Sequence, residues 1–207
     1  MSIPEYIASQ LRKPNGFVGR LFISRILNWA NAEMNNVTLL SLDLKDSDRV
    51  LEVGFGGGAL LTEMARFNSK VTLCGADFSQ DMVMLGKKKM HRLISEGRLQ
   101  LDCAHVENLP YETGTFTKIC SVNSIYFWED CAVVIRELKR VLKQNGALVV
   151  TFGDKASMSK QQVTRYGFNL YTSVDVQRVM EAEGFSDIQT KQGQDGSGKF
   201  FSLLGTN

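Results

Sequence analysis

The stretch Val50 to Leu61, VLEVGFGGGALL, constrains the fold more than any other part of the chain. Val50-Leu51-Glu52-Val53 has the apolar, β-branched character of a strand buried on both faces. Gly54, Gly56, Gly57 and Gly58 follow directly, and Ala59-Leu60-Leu61 opens an apolar helix. Glycine lets the backbone turn tightly and approach a ligand, while the free N–H groups of a helix start point at it. Strand, glycine loop and helix form the first unit of a doubly wound α/β sheet, where a nucleotide-like ligand lies across the strand's carboxyl end.

Which ligand is a matter of charge. Gly54-Phe55-Gly56-Gly57-Gly58-Ala59 satisfies the G-x-G-x-x-G/A pattern of dinucleotide sites. Glu52 argues otherwise, because it sits close to where a pyrophosphate would lie and like charges repel. The same carboxylate suits an ammonium. S-adenosylmethionine carries an ammonium, a sulfonium and a ribose, and no phosphate. A tight turn with a solvated Glu52 is the plainer alternative.

A second acid supports a ligand. The predicted strand Val71 to Ala76 ends at Asp77, nineteen positions after Gly58, about where an acid meets ribose hydroxyls. A carboxylate accepts hydrogen bonds from both hydroxyls together. Asp77 or Ser79 equally serves as the N-cap of the helix that runs toward Ser95, and the two roles are compatible.

With these segments in hand, the chain resembles the class I S-adenosylmethionine-dependent methyltransferases, in particular the small stand-alone type that acts on small molecules. The resemblance covers about residues 48 to 152 strongly. It rests on Leu51 to Gly58, on Gly75-Ala76-Asp77-Phe78-Ser79, on Val106 to Tyr111 with Phe116 to Ile119, and on Arg140 to Gly146. It implies that Glu52, Gly54, Phe55, Gly56 and Gly58 hold the methionine part of the cofactor. Asp77 would hold the ribose, and Phe78, Met82, Val106 and Glu107 would frame the adenine. Asn123, at the end of the fourth strand, would lie beside the methyl donor and the acceptor. Many relatives have Gly-Asp-Ala ahead of the Glu. Here His105 stands in the Asp position, where a neutral imidazole can still accept the adenine amino hydrogen bond.

The family's fold then becomes the expectation: a Rossmann-like doubly wound sheet of seven strands, order 3-2-1-4-5-7-6, with the last strand antiparallel and an N-terminal helical lid. Strands are predicted at 49–53, 70–75, 99–103, 117–122, 146–152, 185–191 and 199–204. Helices are predicted near 131–143, where Val134, Leu138, Val141 and Leu142 form an apolar stripe ended by Asn145-Gly146, and near 173–183. Right-handed crossovers between parallel strands make this order doubly wound. Gly193 to Lys199 imitates a phosphate loop, but Phe200 follows and the context is a strand, so the stretch reads as a flexible hairpin turn. One domain over 1–207 is expected, with a helical extension over 1–45 and a cofactor-binding core over 46–207.

Composition narrows the class of partner. A formal net charge of +2 over 207 residues is too small for a nucleic-acid surface. No apolar run approaches the ~20 residues that span a bilayer, so no membrane insertion is expected. Glu5, Gln10, Arg12, Lys13 and Asn15 interrupt any signal-peptide core. Cys74, Cys103, Cys120 and Cys131 lack metal-type spacing, so no metal and a reducing cytoplasmic setting are expected.

The acceptor side is read from the extension and from the fourth strand's end. Pro14 and Gly16 force a turn, Phe17 to Ala30 reads as a helix, and Lys13 and Arg20 suit an anionic acceptor group. Plain packing against the sheet edge is the alternative for this segment. Tyr6, Phe17, Tyr126 and Trp128 complete the candidate acceptor-binding set, with Tyr126 and Asn123 as catalytic candidates. Tyr166, Tyr171, His105 and Glu129 are further candidates for removing a proton. The leading function is methyl transfer to an O, N, S or C atom of a small metabolite. A nucleic-acid methyltransferase would carry a basic stripe or an Asn/Asp-Pro-Pro-Tyr motif, whereas this chain has Asn123-Ser124-Ile125-Tyr126. A non-catalytic cofactor-binding protein and a nicotinamide oxidoreductase are the remaining alternatives, and Glu52 disfavours the latter.

Overall fold

The alternation of short β-branched runs with amphipathic segments places seven strands in one sheet. A computed structural model describes residues 2–12 and 31–207. The strands are β1 (Arg49–Val53), β2 (Thr72–Asp77), β3 (Leu99–Cys103), β4 (Phe116–Val122), β5 (Leu142–Gly153), β6 (Ser186–Asp195) and β7 (Gly198–Thr206). Their order is β3-β2-β1-β4-β5-β7-β6, as the resemblance implied. β3, β2, β1, β4 and β5 pair in parallel, and β7 runs antiparallel between β5 and β6. The order reverses between β1 and β4, so a crevice opens at the carboxyl ends of these two strands.

Strand alternation divides the core between the two faces of the sheet. Leu51 and Val53 join one apolar cluster with Ile119, while Val50 joins the other with Leu60, Leu61 and Met64. Helix α1 (Ile3–Arg12) lies against a 3₁₀ turn at Gln162–Arg165. Helix α2 (Ala32–Leu42) packs across β4, β5, β6 and β7. Its Thr38 hydroxyl bonds to that of Thr151 at 2.7 Å, and Thr151 donates on to Ser202 at 2.9 Å, so polar groups buried between helix and sheet are mutually satisfied.

Helices α3 (Ala59–Phe67) and α4 (Gln80–Lys89) follow β1 and β2, and α5 (His91–Ser95) leads into β3. Helix α6 (Cys131–Val141) starts where Asp130 accepts the N–H groups of Ala132 and Val133. Val134, Leu138 and Val141 are fully buried, as the stripe predicts. The helix stops two residues before the predicted end, because Leu142 pairs with Phe116 and begins β5. Asn145-Gly146 therefore lies inside an irregular β5, where Asn145 takes a left-handed φ of 61°.

β6 and β7 run longer than predicted. Gly193 and Gln194 pair with Phe200 and Lys199, leaving Gly196-Ser197 as the tip of the turn. Gly193 is a packing residue here: a Cβ on it would come within 2.1 Å of the Phe200 ring. The short α7 (Lys155–Met158) follows β5, and α8 (Ser173–Ala182) precedes β6. No described helix is long and apolar enough to cross a membrane.

Candidate functional site

A cavity of about 720 Å³ fills the crevice at the carboxyl ends of β1, β2 and β4. Its first wall is the glycine loop. Gly54 adopts φ +70°, and a Cβ there would strike Ser124 Cβ at 2.5 Å. Gly54, Gly56 and Gly57 line the cavity, with Phe55 between them. Gly58, expected with them, is not among the lining residues. It caps α3 at φ +65°, and a Cβ on it would meet Met90 Cε at 2.5 Å.

Glu52 lies on β1 behind this loop, lines the cavity and is 4% exposed. Burial is the main cause that pushes its pKa from 4.5 up to about 8. A hydrogen bond from the Leu61 N–H at the start of α3 opposes the rise, and the charges of Asp77 and Glu63 add to it. Its Oε2 is buried with no hydrogen-bond partner among the described residues. A buried acceptor without a donor is costly, and a ligand ammonium would relieve that cost.

Asp77 closes the other side. Its Oδ2 accepts the Gly56 N–H at 2.9 Å and its Oδ1 accepts the Ser79 N–H at 2.9 Å. Burial raises its pKa and these two N–H groups oppose the rise. Ser79 is the N-cap of α4, accepting the Met82 N–H at 3.4 Å, so capping and cavity lining fall to different residues. Each carboxylate oxygen of Asp77 keeps lone-pair capacity for hydroxyl donors.

Phe78, Met82, His105, Val106 and Glu107 line the next stretch of the cavity. The Phe78 and His105 rings lie 6.0 Å apart at 41°, and the Ala104 N–H bonds to the Asp77 carbonyl, tying this segment to β2. His105 is exposed and Phe78 half-buried.

The far end is built around Asn123, which leaves β4 with a left-handed φ of 55°. Asparagine tolerates this conformation better than most residues. Its Nδ2 donates to Asn31 Oδ1 at 2.8 Å, and its Oδ1 accepts the Tyr126 hydroxyl at 2.9 Å. That hydroxyl also accepts the Gly153 N–H at 2.6 Å. Tyr126 is 2% exposed, and burial drives its phenol pKa well above the usual range. Tyr126 lines the cavity as expected of an acceptor-side residue, and its oxygen is bonded to Asn123 on one side and to β5 on the other, an arrangement that braces both. Trp128 also lines the cavity from a buried position.

The remaining acceptor-side expectations divide. Tyr6 is 48% exposed, and α1 contributes Ile7 and Leu11 to the cavity in its place. Tyr166 sits on the outside, its hydroxyl accepting from Ser2 at 3.3 Å, and Tyr171 is not among the lining residues. Lys13, Phe17, Arg20 and the predicted helix over 17–30 lie outside the described residues. Three groups of lining residues escaped the sequence. Asn31, Met34 and Asn35 come from the start of α2, Met158 and Phe168 from the segment after β5, and Asp195, Ser197 and Lys199 from the β6–β7 hairpin. Only the last carried a signal, an acid and a lysine inside a glycine-rich turn. Among the described residues no group of His, Cys, Asp and Glu is arranged to hold a metal.

A sheet of this order, with a glycine loop between buried acids at the ends of β1 and β2, defines the class I methyltransferase fold. Residues 51–150 match the family model described as Methyltransferase domain. Over those residues, just under half of the chain, it is similar to the methyltransferases, and its fold is that of the class I S-adenosylmethionine-dependent methyltransferases. It is 27% identical over 159 residues to the uncharacterized methyltransferase YdaC of Bacillus subtilis (strain 168), covering 76% of this chain and 82% of that one. It is 30% identical over 131 residues to the ubiquinone/menaquinone biosynthesis C-methyltransferase UbiE of Geotalea daltonii, covering 62% of this chain and 56% of that protein. The chain thus spans little more than half the length of that quinone-pathway relative. A SAM-dependent methyltransferase from Aquifex aeolicus has the same fold, with a TM-score of 0.71 and 19% identity over 100% of this chain and 99% of that one.

Proposed function

We propose that this enzyme transfers a methyl group from S-adenosylmethionine to an O, N, S or C atom of a small molecule. The observation that carries the reading is the buried, unpartnered Oε2 of Glu52 beside a glycine loop that Asp77 clamps. Glu52 receives the cofactor's ammonium and Asp77 its ribose hydroxyls. Phe78, Met82 and Val106 pack on the adenine, with His105 and Glu107 at its polar edges. When bound, the cofactor supplies a methyl carbon on a sulfonium, an activated leaving group. The chain's own task is to align the acceptor with that carbon and to exclude water.

Asn123 and the Tyr126 ring form the wall where the acceptor meets the methyl donor. They act as positioning residues, because the Tyr126 hydroxyl is already bonded on both sides. The described parts of the N-terminal segment, residues 2–12 and 31–45, serve as a lid over the core that follows. Ile7, Leu11, Asn31, Met34 and Asn35 support this reading, since all line the cavity. A small-molecule acceptor accords with the quinone-pathway name of one relative and with the small net charge.

Titration calorimetry tests the cofactor. S-adenosylhomocysteine is expected to bind and NAD to leave no heat; binding of NAD alone would overturn the reading. Radiolabelled S-adenosylmethionine offered with phenols, amines, thiols and carboxylates then tests the acceptor class, and label transferred only to RNA would refute a small-molecule acceptor.

A further inference from the structure

Beyond the proposed cofactor residues, the cavity is lined by Asp195, Ser197 and Lys199 of the β6–β7 hairpin. Asp195 stands there as the last residue of β6, opposite Gly198 across the turn. Its Oδ1 accepts the Ser197 N–H at 2.7 Å and holds the turn. Its Oδ2 is buried and has no hydrogen-bond partner among the described residues. The cavity holds two such carboxylate oxygens, and the proposed cofactor accounts only for that of Glu52.

The surroundings say what the second one wants. The polar hydrogen of Tyr126 is engaged by Asn123, so it is not available to Asp195. Asp195 lines the same cavity as an aromatic wall of Tyr126, Phe127 and Phe168. In that wall Phe127 and Phe168 pack edge to face at 4.8 Å, and Tyr126 lies 5.7 Å from Phe168. Apart from Glu52, whose charge the cofactor's ammonium would meet, the acids among the described lining residues are Asp77, Glu107, Glu129 and Asp195, against the single cation Lys199. A cleft lined predominantly by one sign concentrates the opposite sign within it. Aromatic faces next to a carboxylate also favour an organic cation over a neutral body of the same shape.

We propose that the methyl acceptor is an amine, an apolar or aromatic body whose ammonium group is received by Asp195 while its flat part rests on Phe127, Phe168 and Tyr126. This inference rests on the methyl-transfer reading for the identity of the site and adds the charge and shape of the acceptor. The ammonium is the recognition handle, and Asp195 selects for it at the end of the cavity remote from Glu52.

One charge series on a single body tests this. The full chain, saturated with S-adenosylhomocysteine, is titrated with 2-phenylethylamine, 2-phenylethanol and phenylacetate in a calorimeter. The amine is expected to bind at least roughly tenfold more tightly than the alcohol, the scale of one charge-assisted hydrogen bond, and the anion weakest of all. Asp195→Asn keeps the acceptor for the Ser197 N–H and removes only the charge. It should bring the amine down to the affinity of the alcohol, while S-adenosylhomocysteine affinity stays within about twofold. Asp195→Glu should restore part of the preference. An amine that binds no better than the alcohol or the anion, measurable or not, overturns the proposal, as does an amine preference untouched in Asp195→Asn. Failure of S-adenosylhomocysteine to bind the unaltered chain would instead refute the cofactor reading beneath it.

Discussion

Glu52→Gln should make the protein more stable and the site less useful, and the size of the first effect follows from burial. The Glu52 pKa is 4.5 in ordinary surroundings and about 8 in the fold, so the folded state holds this proton more tightly than the unfolded chain does. Below pH 4.5 both states are protonated and the group is neutral towards folding. As pH rises from 4.5 to 8 the unfolded state ionises first, and stability is lost by about 1.4 kcal/mol per pH unit. The ceiling over that window is on the order of 5 kcal/mol. Glutamine has nearly the same shape, can still accept the Leu61 N–H, and has no charge to desolvate. The variant should therefore melt at the wild-type temperature near pH 4.5 and up to roughly 10–20 °C higher at pH 8, given ~2–4 °C per kcal/mol for a chain of this size. Differential scanning calorimetry of both proteins at matched pH values measures this. A difference that is constant with pH, or a variant that melts lower at pH 8, would refute the argument from desolvation. The ligand side has the opposite sign. S-adenosylhomocysteine binding should release a proton near neutral pH and weaken by up to about tenfold per pH unit below 8, a dependence that Glu52→Gln should abolish along with most of the affinity.

Other perturbations separate the roles around the cavity. Asp77→Ala removes the partner of the Gly56 and Ser79 N–H groups, so S-adenosylhomocysteine affinity should fall by more than about tenfold with some loss of stability. Calorimetry with unchanged affinity would limit Asp77 to holding the loop. Tyr126→Phe strips a bond from Asn123 and one from Gly153, and should cost about 1–3 kcal/mol in a denaturant melt. The pH dependence of its methyl-transfer rate should match the wild type, and loss of one limb of that profile would reinstate the phenol as a proton carrier. Gly58→Ala forces a left-handed residue against Met90 and should cost about 1–3 kcal/mol, with cofactor affinity in the folded fraction close to wild type.

The legible part of this molecule is the part in which local chemistry and tertiary structure agree. β1 needs residues buried on both faces, the loop needs glycine at Gly54 and Gly58, and α6 needs its apolar stripe, so each could be read from spacing alone. The ends of elements were less legible. Leu142 continues the stripe of α6, yet pairing with Phe116 draws it into β5. The site divides in the same way. Glu52 and Asp77 sit at fixed offsets from the glycine loop, where the sequence itself supplies the frame. Asp195 reaches the cavity only because β7 inserts between β5 and β6, across more than a hundred residues of chain, and no local pattern announces such a contact. Tyr126 was legible as a position, but the bond its hydroxyl accepts from the Gly153 N–H was not, because that group arrives from another strand.

The Asp77 bridge to Gly56 has a kinetic meaning. A glycine-rich loop left to itself samples many shapes, and a ligand arriving from solvent would have to wait for, and hold, the right one. Here the loop is tied at Gly54 to the Ala76 carbonyl and at Gly56 to Asp77, so its shape is set when the sheet forms. Association at this end of the cavity should then proceed without a slow isomerisation, leaving the rate of exchange to whatever covers the far end.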